Sequence, residues 1–363
     1  MTSEERILKT IRKEKVDRVP ICFHFSDEKT ERMFAEKLSM DIEEFRKITD
    51  SDIKRCYLMD DLQMNINNPE FVKYALKKGF AKKGDEDNVL YDRWGVGWVN
   101  DGSSQKFTSN PYKNIESLQD FQPPEVAQDG QFYMVERFIK EYKQKGYAVI
   151  IPQFYTIFEK SWLMLGYENF FIQCYENRKL IEILMDKITD YRVKLAEMIA
   201  GFNVTCGHSG DDFGTQRGPV MSLQLWRELF KPRLKKIWDV YTSRGIPVIH
   251  HSCGDCRIYI PDMIEMGLKV LNPVQASAMP IAELKRDFGD KLTFYGGIDC
   301  QDILTKGTPA DIRKNVNETV SILGKNGGLI LSPINIMNNV SVDNLEALIE
   351  SINNYRHCNK LKK

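Results

Sequence analysis

The chain lacks any run of about 18 or more apolar residues, the length a membrane-spanning helix needs. Its opening MTSEERILKTIRKEK has neither an apolar signal core nor a cleavage pattern, so a cytoplasmic protein with no membrane partner is expected. Excess charge of either sign is also missing. Lys+Arg and Asp+Glu balance at 51 each, so no global field draws the chain to nucleic acid or an anionic surface. No GxGxxG follows a strand-like run, which removes the usual signature of a dinucleotide-binding open sheet. Histidine is scarce at five residues, and two of the five are adjacent. The eight cysteines (22, 56, 174, 206, 253, 256, 300 and 358) are scattered, so buried thiols or metal ligands are expected in place of a disulfide framework.

What is present is a chain 42% apolar and 28% charged, enough to bury a large core over 363 residues. Short β-branched or aromatic runs alternate with long amphipathic ones, the pattern of parallel strands joined by helices. Eight strands are predicted, at 18–25, 53–59, 148–154, 202–209, 246–252, 269–274, 292–298 and 328–334. Helices are predicted between them, for example over 178–200, 225–245 and 309–328, the last two running into glycine. Eight such units in a chain of this length lead to a single (β/α)8 TIM barrel over 1–363, with a doubly wound sheet as the alternative. Residues 60–125 fit least well. They contain NVLYDRWGVGWVNDG, a hairpin pattern, and are expected to form an insertion over the barrel mouth.

The stretch IPVIHHSCGDC places His250, His251, Cys253 and Cys256 at the end of the fifth predicted strand, where barrel enzymes carry their chemistry. Alternation along a strand puts His251 and Cys253 on one side and His250 on the other. Imidazole and thiolate are good zinc ligands, and a catalytic zinc takes three protein ligands with one position open. The local motif supplies two, so a third must come from another strand. A hydrogen-bonded core pair is the competing reading.

Further candidates lie near other strand ends. Asp211 and Asp212 in GHSGDDFGTQRGP suit acid–base work or a metal shell, and equally a helix cap and turn. Gln216 in that loop is a candidate for contacting polar substrate groups, and His208 points into the barrel or is a satisfied core histidine. Phe154, Tyr155 and Trp94 are candidates for an apolar substrate pocket, or for packing. Asn335, after the last strand, offers an amide to substrate.

Taken together, IPVIHHSCGDCRIYIPDMIEMGLKVLNPVQ, LKRDFGDKLTFYGGIDCQ and GDDFGTQRGPVMSLQLWRELFKPRLKKI resemble the uroporphyrinogen decarboxylase superfamily, and within it the corrinoid-dependent methyltransferase and decarboxylase-like branch. The resemblance covers roughly 130–350, with KVDRVPI and YDRWGVGW extending it loosely toward the amino terminus. It implies a (β/α)8 barrel that moves a methyl group between a small methylated substrate or thiol acceptor and a corrinoid (cobalamin) carried by a partner protein. A homodimer is compatible with it. It also implies a zinc held by His-x-Cys, here His251 and Cys253, plus a distant Cys after the last strand. This chain has Ser332-Pro333-Ile334-Asn335-Ile336 there, so either Cys300 or a carboxylate such as Asp211, Asp212 or Glu159 substitutes, or the chain binds no zinc. The metal-free decarboxylases of the family carry an arginine-rich stretch after the first strand. Here PICFHFSDEKTERMF offers only Lys29 and Arg32, which makes decarboxylation of uroporphyrinogen or a related carboxylate the alternative reaction. The missing distant Cys also motivates a third reading, a barrel kept for binding without catalysis.

Overall fold

The structure is a computed structural model that describes all residues except 87, 101–104, 113–117, 119, 127–129 and 358–363; Cys358 therefore lies outside the described residues. Its centre is parallel β-structure. Five strands run in the order Leu329–Pro333, Thr293–Ile298, Leu268–Val274, Val248–His251, Gly207–Gly210, all parallel. A separate parallel pair joins Ile53–Arg55 to Ala148–Ile150. Isolated backbone hydrogen bonds connect the groups. Asp52 N–H donates to Ile21 O (2.8 Å), Thr205 N–H to Val149 O (2.8 Å) and Cys22 N–H to Leu331 O (3.0 Å). The first predicted strand, 18–25, appears only as isolated parallel bridges at Ile21 and Phe25. Pro20 explains part of this, because it has no N–H to offer a ladder.

Side-chain alternation divides the core in two. A small cluster takes residues from each of the eight segments, among them Cys22, Ile53, Ile150, Cys206, Ile249, Val270, Tyr295 and Ile330. Their neighbours in sequence, such as Ile21, Val248, Leu271, Phe294 and Leu331, pack on the opposite face against the helices. The helix Arg178–Gly201 forms as its period predicts. The predicted helix over 225–245 is instead two, Leu223–Leu229 and Lys231–Thr242, because Pro232 cannot donate and is accommodated only in a first turn.

The irregular stretch of the first third builds a four-stranded antiparallel sheet from Ala81–Lys83, Val89–Asp92, Gly97–Asn100 and Gln105–Ser109. Asp92 pins the turn of YDRWGVGW. Its carboxylate accepts from the Trp94 and Val96 N–H groups (2.8 and 3.0 Å) and from Trp98 Nε1 (3.1 Å), while Gly95 adopts φ +78°.

Candidate metal centre and cleft

The carboxyl ends of the parallel strands open on a cleft of about 2030 Å³. Two loops bring the donor groups together on its wall. Gly214, after the fourth predicted strand, and Gly254, after the fifth, meet backbone to backbone. A Cβ on Gly254 would lie 2.4 Å from Gly214 C, and Gly254 holds φ +72°. This approach sets Asp212 against Cys253, whose N–H donates to Asp212 Oδ1 (2.7 Å). His251 completes the group: its Nε2 is 3.5 Å from Cys253 Sγ and 3.8 Å from Asp212 Oδ1. One donor atom from each of the three lies within 4.8 Å of the others.

The imidazole is held in a tautomer suited to ligation. Asn272 Nδ2 donates to Tyr295 O (3.3 Å), so Asn272 Oδ1, 2.9 Å from His251 Nδ1, accepts the proton there. The Nε2 lone pair is left facing Cys253 and Asp212. Burial lowers the His251 pKa, keeping the ring neutral. Burial, with Asp212 and Glu159 nearby, pushes the Cys253 thiol far up, so the site is one that a cation would convert to thiolate. Zinc bond lengths imply ligand separations of about 3.4–3.6 Å in a tetrahedron, close to the 3.5 and 3.8 Å from His251 Nε2 to Cys253 and Asp212. The donor set of one imidazole, one thiol and one carboxylate therefore fits zinc, and all three residues line the cleft. Glu159 also lines the cleft, and burial followed by the charges of Asp212 and Asp211 raises its carboxyl well above the usual range.

The other sequence candidates are distributed differently. Asp211 is fully buried and accepts from the Ile157 and Glu159 N–H groups (2.9 and 3.0 Å), capping the helix Phe158–Leu165 from outside. It acts on structure, not on the cleft. Cys300 is not in the donor group; its sulfur instead accepts from the Ile334 N–H (3.1 Å). Gln216 is exposed at the tip of the hairpin Gly214–Thr215/Gly218–Pro219 and does not line the cleft. Trp94 is buried edge-on against Tyr191 (4.9 Å between centroids). Phe154, Tyr155 and Asn335 line the cleft, and Phe154 packs edge-on between His208 and His251. His208 lies beneath it, with Nδ1 accepting from Gln153 N–H (3.2 Å). His250 faces the helix layer, bonded to Ser209 (2.8 Å) and stacked on Phe213, and Cys256 is buried beside Met279.

The uroporphyrinogen decarboxylase (URO-D) family profile matches residues 97–355, well over half of the chain. The chain belongs to the uroporphyrinogen decarboxylase family. This URO-D member is 20% identical over 215 residues to a methylated-thiol–coenzyme M methyltransferase from Methanosarcina mazei, covering 59% of this chain and 56% of that protein. The chain thus spans little more than half the length of the curated relative it matches. A solved structure of a methyltransferase from Methanosarcina mazei superposes with TM-score 0.67 at 16% identity, covering 98% of this chain and 99% of the other, and shows a shared fold. Sequence reasoning passed over Asn272, His24 and Arg55 of this URO-D protein. Arg55 ends the short strand Ile53–Arg55 directly after Lys54, so nothing in the sequence sets it apart from an ordinary charged strand end.

Proposed function

We propose that this chain is a methyltransferase built on a closed (β/α)8 barrel with a cap over its mouth, moving a methyl group between a small methylated substrate or thiol acceptor and a corrinoid carried by a partner protein. The observation that carries the reading is the Asp212, His251 and Cys253 triangle at the carboxyl ends of parallel strands, with His251 Nδ1 tied to Asn272. In this reading Asp212, after the fourth strand segment, takes the third-ligand role that the methyltransferase branch gives to a cysteine after the last strand, and Cys300 has no ligand role. The inner cluster drawn from all eight segments and the bonds between the two sheets support closure of the barrel.

Asp212, His251 and Cys253 would hold zinc, which lowers the pKa of a bound thiol or polarises a heteroatom that carries a methyl group. Asn272 fixes the imidazole, and the Gly214–Gly254 contact fixes the spacing of the two loops. When a methyl group leaves oxygen, nitrogen or sulfur, that atom takes up a proton. In this reading Glu159, whose carboxyl is raised well above the usual range by burial and then by the Asp212 charge, gives that proton. Phe154 and Tyr155 offer apolar faces that exclude water from the reacting methyl. The width of the cleft suits approach of a large cofactor borne by another protein.

Decarboxylation of a polycarboxylate has less support, because cations at the rim are already engaged: Arg32 with Glu28, Arg46 with Glu31, Lys54 with Asp50. The test is methyl transfer to a cobalt(I) corrinoid from methoxylated aromatics, methylamines and methyl thioethers, followed by the corrinoid spectrum. Multiple turnovers with at least one donor are expected, falling roughly 100-fold or more in Cys253→Ser. No transfer from any donor, alongside decarboxylation of uroporphyrinogen that survives chelation, is the contrary result.

A further inference from the structure

The turn that follows the strand Ala148–Ile150 is held by a residue that does not itself line the cleft. Arg192, on the helix Arg178–Gly201 and 6% exposed, directs its guanidinium at three successive backbone carbonyls. Its Nε donates to Thr156 O (3.2 Å), and its Nη2 donates to Phe154 O (3.1 Å) and Tyr155 O (2.7 Å). Tyr155, which takes the shortest of these bonds, stands at φ +52°, a left-handed conformation that a bulky side chain adopts only when its surroundings impose it. On the far side the turn is tied to the fourth strand: Thr156 N–H donates to Gly210 O (3.0 Å) and Gly210 N–H to Thr156 Oγ1 (2.8 Å). What the turn carries lies at the cleft. The Phe154 ring stands edge-on between His208 (5.0 Å between centroids) and His251 (5.1 Å). It occupies a gap that Gly210 leaves open, since a Cβ there would lie 3.0 Å from Phe154 Cδ1. Tyr155 and Glu159 line the cleft beside it, with the Tyr155 ring 5.7 Å from Trp98 of the antiparallel sheet.

We propose that Arg192 is a positioning residue of the cleft: by clamping the carbonyls of Phe154, Tyr155 and Thr156 it holds the Phe154 ring against His251, and so fixes the tilt of the imidazole in the donor triangle. The hydrogen bond from His251 Nδ1 to Asn272 sets the position of one ring atom, but a ring can still swing about a single bond. The edge of Phe154 supplies the second contact, which sets the plane. A guanidinium suits the clamp because its donors lie in one rigid plane and reach several acceptors together, whereas an ammonium is a single point. Held carbonyls alone would be ordinary core bonding. What sets this turn apart is that the strained residue and its neighbour both line the cleft. The effect of Arg192 on turnover rests on the methyl-transfer reading; its placing of Phe154 does not.

The test uses the ring current of Phe154 as its reporter. The full chain, labelled with carbon-13 in its five histidines, is compared by NMR with Arg192→Ala and Arg192→Lys, the His208 and His251 signals being assigned with His208→Gln and His251→Ala. In Arg192→Ala the His208 and His251 signals are expected to shift and the other three to stay. Added guanidinium ion should return the two toward their wild-type positions, which urea at the same concentration should not do, and Arg192→Lys should fall between. In methyl transfer kcat should drop about 10- to 100-fold in Arg192→Ala with KM little changed, and recover in part with guanidinium. Phe154→Leu should show the same loss without that recovery. If Arg192→Ala does not fold, Arg192→Lys decides by the same two signals. Unmoved His208 and His251 signals overturn the proposal, and so does displacement of all five, which would make Arg192 a support of the fold alone. The two shifts without methyl transfer by any protein remove the methyl-transfer reading and leave this one standing, whereas transfer by the wild type without the shifts does the reverse.

Discussion

Asp52 and Asp212 flank strands at opposite ends of the parallel sheets, and their surroundings separate structural from chemical use of a carboxylate. Asp52, 3% exposed, precedes its strand and is saturated: Arg6 Nη1 (2.8 Å), Arg18 Nη1 (2.7 Å), Ser3 Oγ (2.6 Å) and Ile21 N–H (2.8 Å) all donate to it. KVDRVPI owes its role to this network, since Asp17 also pairs with Arg6 and Arg18 is its partner at Asp52. Asp212 follows its strand and has one backbone N–H, a neutral imidazole and a thiol for neighbours. A carboxylate whose acceptors are all used holds the fold. One left facing a thiol and an imidazole at a cleft is available for a cation.

The largest test of the contrast is Asp52→Asn, which leaves two guanidinium groups facing a neutral amide and should cost about 3–5 kcal/mol in denaturant unfolding. A loss below that of an ordinary surface change would break the comparison. The same residue sets a pH signature. Arg18 and the other donors outweigh burial and hold the Asp52 pKa below its unfolded value near about 3.9, so its contribution is present above that pH and is lost as pH falls through the lower folded value. Wild-type stability should therefore drop on acidification below about pH 4 more steeply than that of Asp52→Asn, as melting curves across pH would show.

Gly254→Ala is next in size. Positive φ and a 2.4 Å approach to Gly214 cannot both survive a Cβ, and a loss of about 1–3 kcal/mol is expected together with loss of metal binding, because the Asp212 and Cys253 loops must part. Unchanged metal affinity would show that the spacing is set elsewhere. The smallest stability effect belongs to Asp212→Asn. An amide oxygen still accepts from Cys253 N–H, so the melting temperature should move by no more than about 1 kcal/mol implies, while zinc affinity falls sharply. A large destabilisation would make Asp212 another Asp52.

These contrasts also explain what the sequence could and could not reveal. The strand segments were legible because β-branched runs alternate with helical periods, although 18–25 contributes only bridges. His251 and Cys253 could be singled out because strand alternation acts locally. The choice among Cys300, Asp211, Asp212 and Glu159 could not be made, because it depends on which loops touch. The Gly214–Gly254 approach that selects Asp212 joins residues 40 apart and leaves no periodic trace. Asp211 shows the same limit. Adjacent to Asp212 and chemically identical, it is turned inward to cap Phe158–Leu165. Arg55 at a strand end looks like any solvated terminus until its contact with His24, a histidine it shares with Tyr295 from 271 residues further along, is seen in three dimensions.

The central claim is that Asp212, His251 and Cys253 hold zinc and Cys300 does not. Metal analysis of purified wild-type protein beside Asp212→Asn, His251→Ala, Cys253→Ser and Cys300→Ser addresses it directly. Stoichiometric zinc in the wild type and Cys300→Ser, lost in the other three, is the predicted result. Equal and negligible zinc in the wild type and Cys253→Ser, or zinc lost in Cys300→Ser alone, would contradict it.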